Sequence, residues 1–181
     1  MLIDGNRSWF VMIDVQERLC PVMNDPRRVI VNCQRLLKGA ALLDVPVLAT
    51  EQYPRGLGPT MADLRPLLAE GAVIEKTCFS AAAEPAVIER LRGMPRPQVV
   101  VAGIEAHVCV AQTALGLSDQ GFAVAVVGDA CSSRHPPDEA AALARLAAAG
   151  IAVVTTEMVL FEWLGRADHP CFKTVQQTLI R

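Results

Sequence analysis

The sequence predicts an α/β fold, a three-layer α/β/α sandwich around a six-stranded parallel sheet. Three observations carry that expectation. Short β-rich runs alternate with longer helical stretches along the 181 residues. Most of those runs are continuously apolar, the pattern of strands buried on both faces. Glycine stands directly before a strand-like run at Gly121 and again at Gly150, as in the helix-to-strand return of βαβ units.

The first strand-like run covers residues 9–14 and ends in Asp14. Asp25-Pro26 then supplies an N-cap with proline at the first helical position, opening a helix to about residue 43. A second run covers 45–49 and a third 72–74. Pro85 marks the start of a short helix over 84–92. The fourth run, 98–102, is followed by a helix over 107–120 that Gly121 closes. The fifth run spans 122–128, an alanine-rich helix follows over 137–149, and the sixth run is 151–155. Residues 157–164 are apolar at helical spacing; they either cover the sheet or, through their aromatics, form a subunit interface. With no internal repeat and no linker, residues 1–181 are expected to form one domain.

Composition removes several classes of function. Apolar residues make up 52% of the chain, enough for a full core and too many for disorder. The net charge is -2 and no basic cluster alternates with aromatics, so no nucleic-acid partner is expected. No apolar run approaches the ~18–20 residues of a membrane span, and residues 1–7 lack a signal core. The cysteines fall at 20, 33, 78, 109, 131 and 171 without a C-x-x-C pair, which reads as reduced thiols in a cytoplasmic protein.

In a parallel α/β sheet, ligands sit at the carboxyl ends of the strands near a switch in strand order. Asp14, Lys76 and Cys109 each follow a strand-like run, so the fold brings them to one side. Cys109 falls near the start of a helix, where free N–H groups and the helix dipole favour a thiolate; the alternative is a thiol packed in the core. Burial makes a carboxylate at the Asp14 position a stronger base; the alternative is an aspartate that caps the next turn or pairs with Arg18. An ammonium at Lys76 would favour both anions, unless it pairs with Glu75 or Glu51 instead. Cys78 suits a pocket or core thiol better than a second nucleophile. The loop over 52–59, rich in Pro and Gly, lies on the same side and is expected to shape a substrate pocket.

His107, His135 and His169 form no H-x-H or H-x-x-x-H pair, so no zinc site is expected. His107 stands two residues before Cys109 and would not face it on a helix, though it is placed to touch a ligand. The chain has no G-x-G-x-x-G after its first strand and no Walker A sequence, which speaks against nucleotide cofactors. A flavodoxin-like receiver domain would need an acidic cluster after the first strand, and Lys76 is misplaced for it.

Three segments, in order, resemble the isochorismatase-like cysteine hydrolase family, which includes nicotinamidases and N-carbamoylsarcosine amidohydrolases. Asp14-Val15-Gln16 looks like its opening Asp-x-Gln. Lys76-Thr77-Cys78-Phe79-Ser80 is similar to its Lys-x-x-aromatic-Ser segment, and Gly103-Ile104-Glu105-Ala106-His107-Val108-Cys109-Val110 to its nucleophile turn. Segments 51–60, 128–134 and 155–161 look closest to the subgroup called isochorismatase-domain-containing hydrolases.

The resemblance implies the strand order 3-2-1-4-5-6 and a triad of Asp14, Lys76 and Cys109. It further implies a cis peptide between Ile104 and Glu105, with the N–H groups of Glu105 and Cys109 as an oxyanion hole. Gln16, Gln52, Tyr53, Phe79 and His107 are the expected substrate-binding residues, and the assembly is expected to be a homo-oligomer. Glu51-Gln52-Tyr53-Pro54 stands where nicotinamidases resemble one another in an Asp-x-His metal motif, so neither a metal nor another cofactor is implied. The implied activity is hydrolysis of a small amide, carbamoyl or ester substrate through a thioester; the rival is an isochorismatase-fold interaction or scaffold protein with little turnover.

Overall fold

A computed structural model describes residues 1–180. Six parallel strands form one sheet: β1 (Ser8–Ile13), β2 (Val47–Gln52), β3 (Val73–Lys76), β4 (Gln98–Ile104), β5 (Ala123–Ser132) and β6 (Ala152–Val154). Their order is β3-β2-β1-β4-β5-β6, as the resemblance implied. The helices are α1 (Pro26–Leu42), α2 (Pro54–Leu57), α3 (Pro85–Arg92), α4 (Ala111–Asp119), α5 (Pro136–Ala148), α6 (Thr156–Leu164) and α7 (Phe172–Val175).

Side chains alternate across a strand, and here each face finds its own helical layer. Phe10 and Met12 of β1 join Val29, Leu36 and Leu160 in a core formed with α1 and α6. Trp9, Val11 and Ile13 join Val87, Leu117 and Leu146 in a second core formed with α3, α4 and α5. Within the apolar run 157–164, Trp163 is core and meets Phe10 edge-on at 6.4 Å. Met158 and Phe161 of the same helix remain exposed.

The signals at helix starts act as read. The Asp25 side chain accepts from Arg28 N at 3.0 Å and so caps α1, with Pro26 at its first position. Thr155 caps α6 in the same way. Two boundaries differ in a way that matters. The second strand does not stop at Ala49 but continues through Thr50, Glu51 and Gln52, because β3 pairs with it as far as Gln52↔Lys76. The helix expected over 107–120 begins instead as a π-helical turn, Ala106–Val110, before α4.

Strand order reverses between β1 and β4, which part towards β2 and β5 respectively. Their carboxyl ends approach closely at Ile13↔Gly103. Gly103 has φ +121, and a Cβ there would lie 2.1 Å from Ile13 O. Only glycine meets both demands, backbone proximity and a positive φ.

Gly103→Ala should therefore cost more than about 4 kcal/mol of stability and lower the melting temperature by about 10 °C. Thermal unfolding by circular dichroism reads it; an unchanged transition would show that β1 and β4 can separate without loss.

Candidate active site

Asp14 leaves β1 in the left-handed region, φ 52. An aspartate tolerates that conformation better than most residues but is still strained by it. Its N–H donates to Thr50 O at 3.1 Å. Its side chain is fully buried and both carboxylate oxygens are held. Thr50 Oγ1 donates to Oδ1 at 2.7 Å, and Lys76 Nζ donates to Oδ2 at 2.7 Å. Neither side chain of the Asp14–Lys76 pair is exposed. Breaking such a pair from one side costs about 3–5 kcal/mol, because the remaining charge stays buried.

Lys76 is saturated by the protein. Besides Asp14 its ammonium meets Gln52 Oε1 at 2.7 Å, Cys78 O at 3.2 Å and Phe79 O at 3.1 Å. An ammonium has three N–H groups and no lone pair. Four acceptors around it leave no donor for a ligand. The alternatives for Lys76 and Asp14 are set aside by their partners: Glu51 binds Thr60, and Arg18 binds Gly56 O.

Cys109 lies in the π-helical turn after β4, 5% exposed. Burial pushes its thiol up to about 12 from the ordinary 9.0; the Asp14 charge adds to this, Lys76 opposes it, and the Glu105 charge raises it further. Desolvation thus outweighs the pull towards a thiolate expected from the helix start. The peptide between Ile104 and Glu105 is cis, as the resemblance implied. Among the described residues the Glu105 N–H has no hydrogen-bond partner. The Glu105 carboxylate accepts from Arg134 N at 3.1 Å and from Arg134 Nε at 3.0 Å.

The remaining expected residues take two kinds of place. Gln16 is buried and has its amide committed to backbone: Nε2 donates to Gln52 O and Gly58 O, and Oε1 accepts from Gln52 N. It pegs the loop over 52–59 to β1. Gln52 turns its amide to Lys76 and to Thr77 O at 2.8 Å. Tyr53 and Phe79, in contrast, are 56% and 55% exposed at the ends of the neighbouring strands β2 and β3. Tyr53 also lines a cleft of about 390 Å³ with Arg55, Glu75, Lys76 and Glu84; neither Asp14 nor Cys109 borders it. His107 is turned towards α5, with Nδ1 2.9 Å from Ser133 Oγ and Nε2 3.9 Å from Asp138 Oδ2.

Sequence reasoning missed Thr50 and Glu51. Glu51 Oε1 accepts from Thr60 N at 2.6 Å and Thr60 Oγ1 at 2.7 Å, tying down the far end of the same loop. The available signal was the period-2 spacing of Thr50 and Gln52, which puts both on one face of β2. Among the described residues no group of three or more His, Cys, Asp or Glu side chains is arranged to hold a metal ion.

The family described as isochorismatase domain matches residues 8–158. Isochorismatase domain-containing protein 2 of Bos taurus is 42% identical over 172 residues, covering 94% of this chain and 81% of its own. A protein described as MAR1 ribonuclease from Caenorhabditis elegans superposes with a TM-score of 0.94 at 36% identity, covering 100% of this chain and 93% of its own. The YcaC gene product of Escherichia coli, described as an octameric hydrolase of unknown specificity, superposes with a TM-score of 0.92 at 24% identity, over 99% of this chain and 91% of its own. The strand order, the cis peptide in the turn after β4 and a sequence match over most of the length agree: the chain belongs to the isochorismatase-domain family of hydrolase-like proteins.

Proposed function

We propose that this protein is a cysteine hydrolase that cleaves a small amide, carbamoyl or ester substrate through a thioester on Cys109. The observation that carries the reading is the fully buried Asp14 carboxylate, bound on one side to Lys76 and coupled through its charge to the Cys109 thiol, which it raises. A raised thiol needs a base in contact with it at the moment of attack.

The chemistry follows from that contact. Asp14 takes the thiol proton as sulfur bonds to the substrate carbonyl carbon. The oxyanion that forms is met by the N–H groups of Glu105 and Cys109. As the tetrahedral centre collapses, the C–N or C–O bond breaks and the leaving group takes the proton from Asp14. Water then attacks the thioester, giving a proton back to Asp14. The second collapse releases a carboxylic or carbamic acid, and Asp14 returns the proton to sulfur. Lys76 keeps its charge throughout and balances the anion at Asp14 or at Cys109, whichever is present.

Gln16 and Gln52 act in this scheme by holding the 52–59 loop and Lys76, while Tyr53 and Phe79 are the residues left to meet substrate. The ribonuclease description of the Caenorhabditis elegans protein is not carried over. RNA requires an open cationic groove, whereas this thiol is recessed and the chain is net negative. No described helix is long and apolar enough to cross a membrane. The six free thiols support a cytoplasmic setting. The exposed Met158 and Phe161 on α6 support a homo-oligomer.

Two experiments test the reading. Small amides, carbamoyl compounds and esters are screened with intact-mass detection of an acyl adduct. The adduct should map to Cys109 and vanish in Cys109→Ala, which should keep the wild-type melting temperature and lose turnover by more than about 10³-fold. An adduct on Cys78 or Cys131 would move the nucleophile; a protein with no selectively reactive thiol would be the scaffold instead.

The second concerns the sign of the thiol shift. Asp14 raises the thiol and Lys76 lowers it, so Asp14→Asn should bring the titration of Cys109 below about 12. Thiolate absorbance against pH reads this. The variant should combine a more acidic thiol with lost turnover, because the proton acceptor is gone. A thiol that titrates where the wild type does would show that Asp14 does not act on it.

A further inference from the structure

The proposed mechanism uses two contacts of Asp14, to Lys76 and to Cys109, and leaves a third unexplained. Thr50 grips Asp14 twice: its carbonyl accepts the Asp14 N–H at 3.1 Å, and its hydroxyl donates to Oδ1 at 2.7 Å. Thr50 is 1% exposed, on a strand paired on both sides, with Ile13↔Thr50 in register with β1 and Thr50↔Ile74 with β3. An ionised carboxylate only accepts, so the hydroxyl proton must point at Oδ1.

We propose that Thr50 is a positioning residue for the reaction, holding the Asp14 carboxylate in its left-handed turn and setting the pH range over which it accepts the Cys109 proton. This rests on the cysteine-hydrolase reading. The backbone bond fixes where the carboxylate stands. The hydroxyl bond favours the ionised form of that carboxylate over the acid, since a donor to the charged state stabilises it. Because Lys76 occupies Oδ2, Oδ1 is the oxygen that the ion pair leaves free, and the Thr50 hydroxyl is the donor that meets it.

The charged and titratable groups facing Asp14 are few. Lys76 reaches it from β3 and Cys109 from the π-helical turn, with Glu105 acting on Cys109 from the same turn. Thr50 is neutral, so replacing it changes none of these charges, and a movement in the pH response reports the lost hydroxyl.

The experiment is the rate of Cys109 alkylation by iodoacetamide against pH, read by peptide mass, which needs no substrate. It is run on wild type, Thr50→Ser, Thr50→Val and Thr50→Ala. In wild type the rate should fall at low pH, where the carboxylate is no longer free to take the thiol proton. In Thr50→Val the midpoint of that fall should move up by about one pH unit. Thr50→Ala should move it in the same direction if the valine variant does not fold, and Thr50→Ser, which keeps the hydroxyl, should restore the wild-type midpoint. A structural role alone would lower the melting temperature and leave the midpoint in place. Unmoved midpoints in both Thr50→Val and Thr50→Ala with a reactive Cys109 would overturn the role of Thr50 and spare the hydrolase. A wild-type Cys109 that is no more reactive than the other thiols would overturn both.

Discussion

An ammonium and a carboxylate buried together at 2.7 Å, with no water-accessible surface on either side chain, set the terms for this site. Desolvating two charges is costly unless every remaining lone pair and N–H is matched. The fold meets that demand with fixed partners: Thr50 for Asp14, and Gln52 with two carbonyls for Lys76. The polar end of β2, the segment after β3 and the left-handed exit of β1 all follow from it. Cys109 then enters an environment whose charges already balance. In the proposed mechanism its thiol stays protonated until a substrate arrives, and Asp14 is the base that removes the proton.

The sheet explains why these groups meet. Asp14 and Cys109 follow the two strands that flank the reversal in strand order, and Lys76 ends a strand two positions away. The meeting of β1 and β4 is tight enough that Gly103 has no room for a side chain. That contact holds the chain segments that carry Asp14 and Cys109 side by side. The site is thus built on strand ends, which are stiff, while the residues that reach solvent sit on loops.

Much of this was legible in the chain before its structure. Continuous apolar runs marked strands buried twice, and the two core layers confirm why 10 and 12 are apolar as well as 9, 11 and 13. Asp14, Lys76 and Cys109 each stood out as reactive groups directly after such runs. The state of the thiol was not legible. Position near a helix start is visible in sequence, but desolvation depends on what packs around the sulfur. Thr50, and the partners that Glu51 and Gln52 take, were hidden for a different reason. A run of three polar residues looks like the end of a strand, yet each finds its own partner, in Asp14, Thr60 and Lys76, and the strand continues. Gln16 was assigned to ligand contact on the resemblance alone, and nothing in the sequence signals that Gly58 and Gln52 take up its amide.

The saturated ammonium of Lys76 has an evolutionary corollary. A group with no donor to spare gives a descendant enzyme nothing to gain by changing which molecule touches it. Selection for a new substrate would then act on the rim, on Tyr53, Phe79 and the segment that Gln16 and Glu51 hold in place, without disturbing the reactive interior. Engine and recognition surface become separately heritable, and a loop graft onto an unaltered sheet becomes the natural unit of diversification.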